Sequence, residues 1–457
     1  MEGRYEPSFY SPEFRLQQKG KFVRLKDLTI KIVHPPEYPR EFSETGAQLI
    51  RSQNVRPTGI SIDENPVYFS NEFLSKRRVI KPNIGDVLVV RSGVNAGDTS
   101  VIEHDLNNAI IGADTLLCVC KKEVLPKFLQ VYFWTSLGKN QMVRYVTGAT
   151  NRHLNSENLR NVLVPNVDLE IQKHIVTIFE SAYTQKQQKE AEAKELLASI
   201  DTYLLNELGI VLPEKEESLD SRIFEVMYSE ISSDRHDPFF YTKYFINIEK
   251  SLLAGEYKII RLSNLCKLQN GYAFKSSDYI EYSDTLNARM SNIRPNNEFD
   301  INYNPKYLPN EFAKTYKSFI LKDGDIIIAM TDMASDPKIL GVPTVISNAK
   351  DKTLLLNQRV GKLFDFKKEI VNMEYLKEIL SSKLIKEYYN KMGARGVQIN
   401  ISAEQILSAK IPLPPMDKQK EIAEHILSIR KQAQQLQTVA LEILAAAKEE
   451  VERMILG

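Results

Sequence analysis

The sequence predicts an α+β protein: two homologous globular modules separated by two long antiparallel coiled-coil helices, forming a pseudo-two-fold internal repeat. Two observations lead to this prediction. After Met416 the chain has no proline or glycine until Gly457, and apolar side chains recur there at alternating steps of four and three residues, which is the spacing of a coiled-coil seam. A stretch with the same pattern, beginning at Val164, precedes its counterpart at Ile411 by 247 residues. The chain therefore contains two helices that can pair with each other.

The two helices differ in the middle of their seams. The predicted seam of the second helix is Ile422, Ile426, Ile429, Ala433, Leu436, Ala440, Ile443 and Ala447. The corresponding positions of the first helix are Ile175, Phe179, Ala182, Lys186, Lys189, Ala193, Leu196 and Ile200. We expect the stems of Lys186 and Lys189 to cover apolar surface while their ammonium groups reach water. Both copies end on Leu-Gly, and Gly209 and Gly457 suit the position just past a helix.

The repeat extends beyond the helices to the preceding modules. Residues 51–57 (RSQNVRP) correspond to 289–295 (RMSNIRP), and residues 85–90 (GDVLVV) correspond to 324–329 (GDIIIA). Residues 4–10 are echoed at 235–241. The offset between matching positions rises along the chain from 231 to 247 without decreasing, as expected for two copies of one module when the second has longer loops.

Each module is predicted to contain short strands, with Gly-Asp turns before the most apolar ones, and then a helix at residues 127–139 or 373–391. The mixed order of elements favours α+β over a doubly wound sheet. The predicted segments are a first module at 1–167, a central helix at 168–212, a linker at 213–234, a second module at 235–415 and a C-terminal helix at 416–457. A short helix is expected in the linker at 219–231.

Composition is ordinary for a globular protein, with 43% hydrophobic and 26% charged residues in a chain of 457 residues. The net charge is +1, so any affinity for DNA must come from local basic clusters or from partner proteins. The three cysteines cannot form a disulfide framework, and Cys118 and Cys120 are expected to be buried thiols in a strand. The chain lacks an apolar signal segment and a membrane-length apolar run, so a cytoplasmic location is expected.

Motifs that would indicate catalysis by this chain are weak. His34-Pro35-Pro36-Glu37 and Asp237-Pro238-Phe239-Phe240 resemble the loop with which amino-methyltransferases hold a flipped base, but neither has the required polar-Pro-Pro-aromatic order. The sequence has neither a glycine-rich cofactor loop in the right context nor a Walker phosphate loop, and its six histidines lack ligand spacing. An enzyme with a degenerate active site and a coiled-coil scaffold without a DNA role remain the alternative hypotheses.

Several polar strings are candidates for DNA contact. Arginines flank an asparagine at Arg51, Asn54 and Arg56 and again at residues 289–294. Arginine can bind guanine and asparagine can bind adenine through paired hydrogen bonds, but the same residues could instead shape a turn, and both interpretations stay open. Residues 91–97 follow an apolar strand, and their counterpart at 330–333 differs in every side chain, which suggests that the two modules contact different details of their ligands.

Two glycine-containing segments, 147–153 and 393–400, combine backbone freedom with Arg, Gln, Asn and His, which suits phosphate or base contacts. A structural loop that caps the preceding helix is the alternative. The candidate DNA-binding residues are Arg51, Asn54, Arg56, Arg91, Ser92, Asn95, Thr150, Asn151, Arg152, Arg289, Asn292, Arg294, Thr331, Arg359, Arg395 and Gln398.

Taken together, the two modules, each ending in Ile/Val-Pro, six further residues and Gln before a long helix, resemble the DNA specificity subunit of type I restriction–modification systems. The strings Ile411-Pro412-Leu413-Pro414-Pro415-Met416-Asp417-Lys418-Gln419 and Gly324-Asp325-Ile326-Ile327-Ile328 carry the resemblance, which covers essentially the whole chain. The resemblance implies two target-recognition domains that each bind one half of a split site in double-stranded DNA, held by paired spacer helices.

The resemblance also implies a chain without a catalytic centre, metal or cofactor of its own. Its implied partners are two modification subunits, which methylate adenine with S-adenosylmethionine, and restriction subunits that use ATP and Mg²⁺. The implied function is to direct these methyltransferase and restriction subunits to the DNA target, in the cytoplasm and without a membrane.

Overall fold

The computed structural model describes residues 22–56, 59–63, 65–147, 152–216, 218, 221, 223–227, 231, 237–347, 349 and 351–456. The chain forms two compact units. Unit 1 comprises Met1–Glu192 with Gln435–Gly457, and unit 2 comprises Ala193–Gln434. Each long helix therefore contributes residues to both units.

The elements of the first half of the chain, in order, are β1 (Phe22–Arg24), α1 (Leu25–Leu28), β2 (Thr29–Val33), β3 (Ala47–Ile50), β4 (Val55–Arg56), β5 (Gly59–Ile60), β6 (Tyr68–Phe69), α2 (Asn71–Ser75), β7 (Val87–Val90), β8 (Thr99–Val101), β9 (Ala109–Ile111), β10 (Thr115–Cys120), α3 (Pro126–Trp134), α4 (Ser136–Tyr145), α5 (Ser156–Arg160), β11 (Leu163–Pro165) and α6 (Leu169–Glu207).

The elements of the second half are α7 (Lys243–Leu253), β12 (Ile259–Arg261), β13 (Lys267–Asn270), β14 (Thr285–Ala288), β15 (Tyr307–Leu308), α8 (Phe312–Thr315), β16 (Ile320–Leu321), β17 (Ile326–Ala329), β18 (Thr331–Met333), β19 (Pro343–Val345), β20 (Thr353–Leu356), β21 (Val360–Phe364), α9 (Met373–Ser381), α10 (Lys383–Met392), β22 (Ala394–Arg395), β23 (Gln398–Asn400), α11 (Ala403–Leu407), β24 (Lys410–Pro412) and α12 (Met416–Leu456).

The two units repeat one sheet arrangement. A four-stranded antiparallel sheet has the order β2-β10-β7-β8 in unit 1 and β13-β21-β17-β19 in unit 2. A second sheet has a parallel pair in each unit, β3 with β9 and β14 with β20. A two-stranded ribbon, β1-β11 or β12-β24, joins the start of each module to its end. The predicted α+β class and the internal repeat are confirmed.

The Gly-Asp turns before β7 and β17 have the same geometry in both units. Gly85 and Gly324 have φ values of +88° and +87°, a conformation that favours glycine. The following aspartates close the turn, with Asp86 Oδ2 2.8 Å from the backbone N–H of Asn83 and Asp325 Oδ2 2.8 Å from that of Lys322. The central strands β7 and β17 that follow are buried along their whole length.

The single helices predicted at 127–139 and 373–391 are wrong, because each segment forms two helices. Thr135 and Ser382 interrupt them in an extended backbone conformation, with ψ near 160°. Their hydroxyls bind back to the preceding helix, Thr135 Oγ1 to the carbonyl of Tyr132 at 2.7 Å and Ser382 Oγ to that of Ile379 at 2.6 Å. Short hydroxyl side chains compete with the helical backbone in this way.

The long helices pair antiparallel within each unit. In unit 2, Glu207 at the end of α6 lies 2.5 Å from Lys418 at the start of α12, and the rings of Tyr203 and His425 are 4.1 Å apart. In unit 1, the start of α6 shares a hydrophobic core with the end of α12, through Phe179 among others. All eight predicted seam positions of α12 are buried or half-buried, which confirms the seam.

The seam lysines reach the surface through ion pairs within their own helix. The side chain of Lys186 is 17% exposed, and its ammonium binds Glu190 at 2.7 Å; that of Lys189 binds Glu192 at 2.8 Å. Both carboxylates belong to the same helix, so α6 neutralises the charges in its own seam. The glycine after α6 has the predicted role, since Gly209 has a φ of +65° and its N–H donates to the carbonyl of Asn206.

The remaining structural predictions have mixed outcomes. Cys118 is buried in β10 as predicted, and burial raises the pKa of its thiol, whereas Cys120 at the end of the strand is only half-buried. The linker helix expected at 219–231 is absent from 223–227, and most of its other residues, like residues 4–10 and Gly457, lie outside the described part of the chain. Among the described residues, every helix is too short or too polar to cross a bilayer.

Candidate nucleic-acid interface

The Arg-x-x-Asn strings form the same turn in both units. In unit 1, Asn54 Oδ1 accepts from the N–H of Arg51 at 2.9 Å, and Asn54 Nδ2 donates to the carbonyl of Ser61 at 2.7 Å. In unit 2, Asn292 makes the equivalent bonds to Arg289 at 3.0 Å and to Asp300 at 3.0 Å. Both asparagines are buried. In this conformation neither amide has a free edge for a base.

The arginines of these strings are better placed for contact than the asparagines. Arg51 and Arg289 are half-buried, and each donates through Nη2 to the carbonyl of an asparagine with positive φ, Asn65 at 2.5 Å and Asn304 at 2.7 Å. Arg56 is exposed. The guanidinium of Arg294 lies 3.9 Å from the centre of the Tyr303 ring. Their contact with DNA stays a prediction.

A second group of candidate residues meets where the loop after β7 joins the segment after α4. Ser92 Oγ lies 3.0 Å from Nδ1 of His153, and the N–H of Gly93 donates to the carbonyl of Arg152 at 3.0 Å. The side chains of Asn95 and Arg152 are exposed, and that of Arg91 is half-exposed. Residues more than 50 positions apart in the sequence therefore form one polar surface in unit 1.

Unit 2 assembles the equivalent surface with different side chains. Thr331 Oγ1 donates to Oδ1 of Asn400 at 2.7 Å, so the threonine–asparagine pair replaces the serine–histidine pair. Strands β18, β22 and β23 form a small antiparallel sheet here, and Gln398 is half-exposed on it. The buried carboxylate of Asp332 accepts from the N–H groups of Ile339 and Leu340 at 2.6 and 3.1 Å and thereby holds the longer loop of this unit.

One short connection ties both candidate segments together in each unit. In unit 1 it joins β9 to β10. Its Gly112 donates to the carbonyl of Ile50, next to the Arg51 turn, and its Asp114 accepts from the N–H of Arg91 at 2.8 Å. In unit 2 the connection from β20 to β21 makes the same two bonds through Asn357 and Arg359.

We call these surfaces the loop faces. The loop face of unit 1 comprises residues 51–56, 91–97, 112–114 and 152–153, and that of unit 2 comprises residues 289–294, 331–333, 357–359 and 398–400.

The two loop faces have the same backbone arrangement but different side chains. At equivalent positions unit 1 has Arg91, Ser92, Asp114 and His153 where unit 2 has Met330, Thr331, Arg359 and Asn400. Asp114 was not among the candidate residues, and His153 was included only as part of the candidate segment 147–153. Aligning the two repeats would have marked Asp114, because its equivalent in unit 2 is the candidate Arg359.

Some candidates cannot be placed. Thr150 and Asn151 lie outside the described residues, and of Arg395 only the backbone in β22 is described. Near the loop face of unit 1, burial raises the pKa of Asp98, and the charge of Lys139 opposes this shift. Within the described residues no group of His, Cys, Asp and Glu has a geometry that could hold a metal ion.

Comparison with known proteins shows what this chain resembles. Residues 254–443, which contain most of unit 2, match the family model of the type I restriction modification DNA specificity domain. The resemblance to type I specificity subunits that was inferred from the sequence is confirmed.

The individual relatives cover most of the chain. The MjaVIII type I restriction enzyme specificity subunit of Methanocaldococcus jannaschii is 24% identical over 81% of this chain and 76% of its own length. The putative MjaX type I specificity subunit of the same organism is 21% identical over 94% of this chain and 89% of its own. A solved chain from a study of assembly and conformational transition of the type I R-M system has 14% identity and a TM-score of 0.52, covering 96% of this chain and 97% of its own, and shares the fold.

Proposed function

We propose that this chain is the non-catalytic subunit that recognises a split DNA sequence, with each unit contacting one half through its loop face. The observation that supports this proposal is that both loop faces have the same backbone arrangement but different side chains at equivalent positions. A common framework positions the same loops against the same kind of ligand. Different side chains on it give each unit a different sequence preference.

The side chains on the loop faces suit DNA. Arg91, Arg152 and Arg359 can bind phosphate oxygens or guanine edges, and Asn95 and Gln398 can bind adenine. With a net charge of +1, the chain has little long-range attraction for the phosphate backbone. We therefore expect the chain alone to bind DNA weakly and to gain affinity and specificity with a modification subunit.

The proposal extends to partners and cofactors. We propose that the chain binds two modification subunits and restriction subunits and directs them to its target. S-adenosylmethionine, ATP and Mg²⁺ would then be bound by those subunits. The weakness of catalytic motifs in this sequence is consistent with that division of work.

The test is the methylation pattern of a host that expresses the chain with its methyltransferase partner. Wild type should give one split motif. Arg152→Ala should relax or weaken the half of the motif bound by unit 1, and Gln398→Ala should affect the other half. Lys122→Ala removes an exposed charge from the opposite end of β10 and serves as the control. Methylation without a split motif, or with a motif independent of this chain, would contradict the proposal.

Weak intrinsic binding is tested separately. Affinity is measured for a duplex carrying the motif and for a scrambled duplex, with and without the modification subunit. We expect discrimination to appear only with the partner. Strong specific binding by the isolated chain would contradict this expectation.

A further inference from the structure

We infer that Asp114 and Arg359 occupy one specificity-determining position, at which unit 1 accepts a hydrogen bond from the amino group of a base and unit 2 donates to guanine. This inference rests on the proposed function. It names, for one residue of each unit, the chemical group on DNA that this residue binds.

The two residues are equivalent by geometry. Each lies in the connection that follows the parallel strand of its unit, and each precedes a strand that pairs with the buried central strand. The carbonyl of Asp114 accepts from the N–H of Arg91 at 2.8 Å, and that of Arg359 accepts from the N–H of Met330 at 2.9 Å. Their backbones therefore have the same place in the same loop face.

The fold does not explain the choice of either side chain. Both side chains are exposed, and among the described residues neither makes a hydrogen bond or an ion pair through its charged group. The structural bond at this position uses the backbone carbonyl, which any residue provides. Unit 1 has an acidic residue at this position and unit 2 a basic one, yet both units keep the same backbone bond. The charge at this position can therefore vary without loss of the loop conformation.

A carboxylate at this place limits what it can bind. A carboxylate accepts hydrogen bonds but does not donate them, and it is repelled by phosphates. The hydrogen-bond donors of the DNA major groove are the amino groups at cytosine N4 and adenine N6, and carboxylates bind the former in particular. Asp114 beside Arg91 therefore suits contact with a base edge rather than with the DNA backbone.

A guanidinium at the same place has the complementary preference. Arginine donates two parallel hydrogen bonds to O6 and N7 of guanine, which is the most frequent specific contact in protein–DNA complexes. Since Arg359 also attracts phosphates, it should add affinity for every sequence, whereas Asp114 should reduce it. The two units thus differ at this position both in preferred base and in general affinity.

The experiment uses the complex of the chain with its modification subunit and duplexes carrying the motif that the host methylates. Each base pair of the motif is replaced in turn, and affinity is measured for wild type, Asp114→Ala and Asp114→Asn. Wild type should prefer cytosine or adenine at one position of the first half-site by about 5- to 150-fold, the range of a good base contact. Asp114→Ala should lose that preference and bind scrambled duplexes more tightly.

The other variants separate a base contact from a general change in charge. Asp114→Asn keeps the size of the side chain and should shift the preference toward adenine, because an amide pairs with adenine N6 and N7. Arg359→Ala should remove a guanine preference from the second half-site and weaken binding to scrambled DNA. The control Glu123→Ala deletes an exposed carboxylate beyond the other end of β10 and should leave every base preference unchanged.

The outcomes distinguish failure of this inference from failure of the proposed function. If Asp114→Ala and Asp114→Asn keep the wild-type preference at every position, Asp114 is a bystander and the inference is overturned while the proposed function stands. If both variants fail to fold, as judged by thermal melting, the side chain is structural and the inference is again overturned. If the wild-type complex shows no sequence preference at all, the proposed function itself fails.

Discussion

Asn54 and Asn292 illustrate how one residue type at one spacing serves the fold. Each side chain closes the turn that follows its arginine. Its amide nitrogen also donates to a backbone carbonyl further along the chain, that of Ser61 for Asn54 and that of Asp300 for Asn292. Both are almost fully buried. A buried amide whose oxygen and nitrogen are both used stabilises the loop face from beneath.

The first prediction concerns these amides. Asn54→Ala removes the partner of one part-buried N–H and one part-buried carbonyl, and Asn292→Ala that of one N–H and two carbonyls. Each fully buried unsatisfied group would cost about 1–3 kcal/mol. We expect each variant to lower the melting temperature of the chain. Asn95→Ala, at an exposed position of the same loop face, should melt like wild type. Unchanged melting of both buried variants would mean that the turn holds without its asparagine.

The second prediction separates the two roles of the neighbouring arginines. If Arg51 and Arg289 contact bases, Arg51→Ala should impair one half of the motif and Arg289→Ala the other, by about 1–3 kcal/mol of discrimination each. If they serve only the turn, both variants should melt earlier and methylate an unchanged motif. Methylation mapping and thermal melting of the same two variants distinguish the outcomes.

At this scale the sequence located the residues but not their roles. The repeated spacing of Arg and Asn was visible, whereas the carbonyl to which Asn54 donates belongs to Ser61, seven residues further on in a segment without a recognisable motif. Asp114 had no motif at all. Its significance comes from the backbone bond to Arg91, a contact that local sequence does not encode.

At the scale of secondary-structure elements, the glutamine of the Pro-x6-Gln motif forms the joint between each module and its long helix. Gln172 and Gln419 are buried at the first turn of α6 and α12. Gln419 accepts from the N–H of Asn372 at 2.8 Å and donates to the carbonyls of Ile370 and Pro414 at 3.1 and 2.8 Å. Gln172 makes the equivalent three bonds in unit 1. Each glutamine fixes the start of a long helix to the start of α3 or α9.

The third prediction follows from this joint. Gln419→Ala leaves three backbone groups without their partner, so we expect a loss of about 1–3 kcal/mol or more in the stability of unit 2. Chemical denaturation followed by a probe in each unit would detect it. Gln437→Ala, at an exposed position of α12, is the matched control. A Gln419→Ala chain as stable as that control would argue against the joint.

Prediction of helices from the sequence succeeded where the apolar periodicity was long. It failed where a single residue interrupts a helix. Eight seam positions over about seven turns defined α12. By contrast, Thr135 and Ser382 lie inside apolar helical patterns. Each breaks its helix by bonding back to the preceding turn, and the start of the second helix is also bound from outside. The N–H of Leu137 donates to Glu452 at 3.0 Å, and that of Lys383 donates to Asp201 at 2.9 Å. Those carboxylates are far away in sequence.

For the whole molecule, the division of each long helix between two units has a consequence for isolated halves. Val451 and Ile455 of α12 complete the core of unit 1. Their repeat equivalents, Leu204 in α6 and Leu208 just after it, complete that of unit 2. A half-chain lacks the pair that its own unit needs. It does carry the equivalent pair, which it can give to a second copy in a closed two-fold dimer.

The fourth prediction is that both halves dimerise. We expect residues 235–457 to associate more tightly than residues 1–212, because the seam of the first half includes Lys186 and Lys189. Sedimentation velocity over a range of concentrations measures this. Lys186→Leu with Lys189→Ala in the first half should narrow the difference. Two persistent monomers would argue against an antiparallel internal pair.

The last prediction treats the paired helices as a ruler between the two DNA half-sites. The chain passes from unit 1 to unit 2 within α6 after Glu192, and from unit 2 to unit 1 within α12 after Gln434. Insertions near Lys189 and near Leu436 therefore fall at these crossings and outside both loop faces. One heptad in each helix keeps the seam facing inward and adds about 10 Å to each.

Since a base pair rises about 3.4 Å, the matched insertion should widen the gap between half-sites by roughly three base pairs if the displacement is transmitted fully. Each half-site should keep its sequence, because the loop faces are unchanged. An insertion in only one helix should put the two seams out of register and abolish methylation, so it serves as the control. The measurement is the methylated motif of a host expressing each variant. An active matched variant with an unchanged gap would mean that the helices do not set the spacing, because ten added ångströms would then have had no effect on where the two units bind.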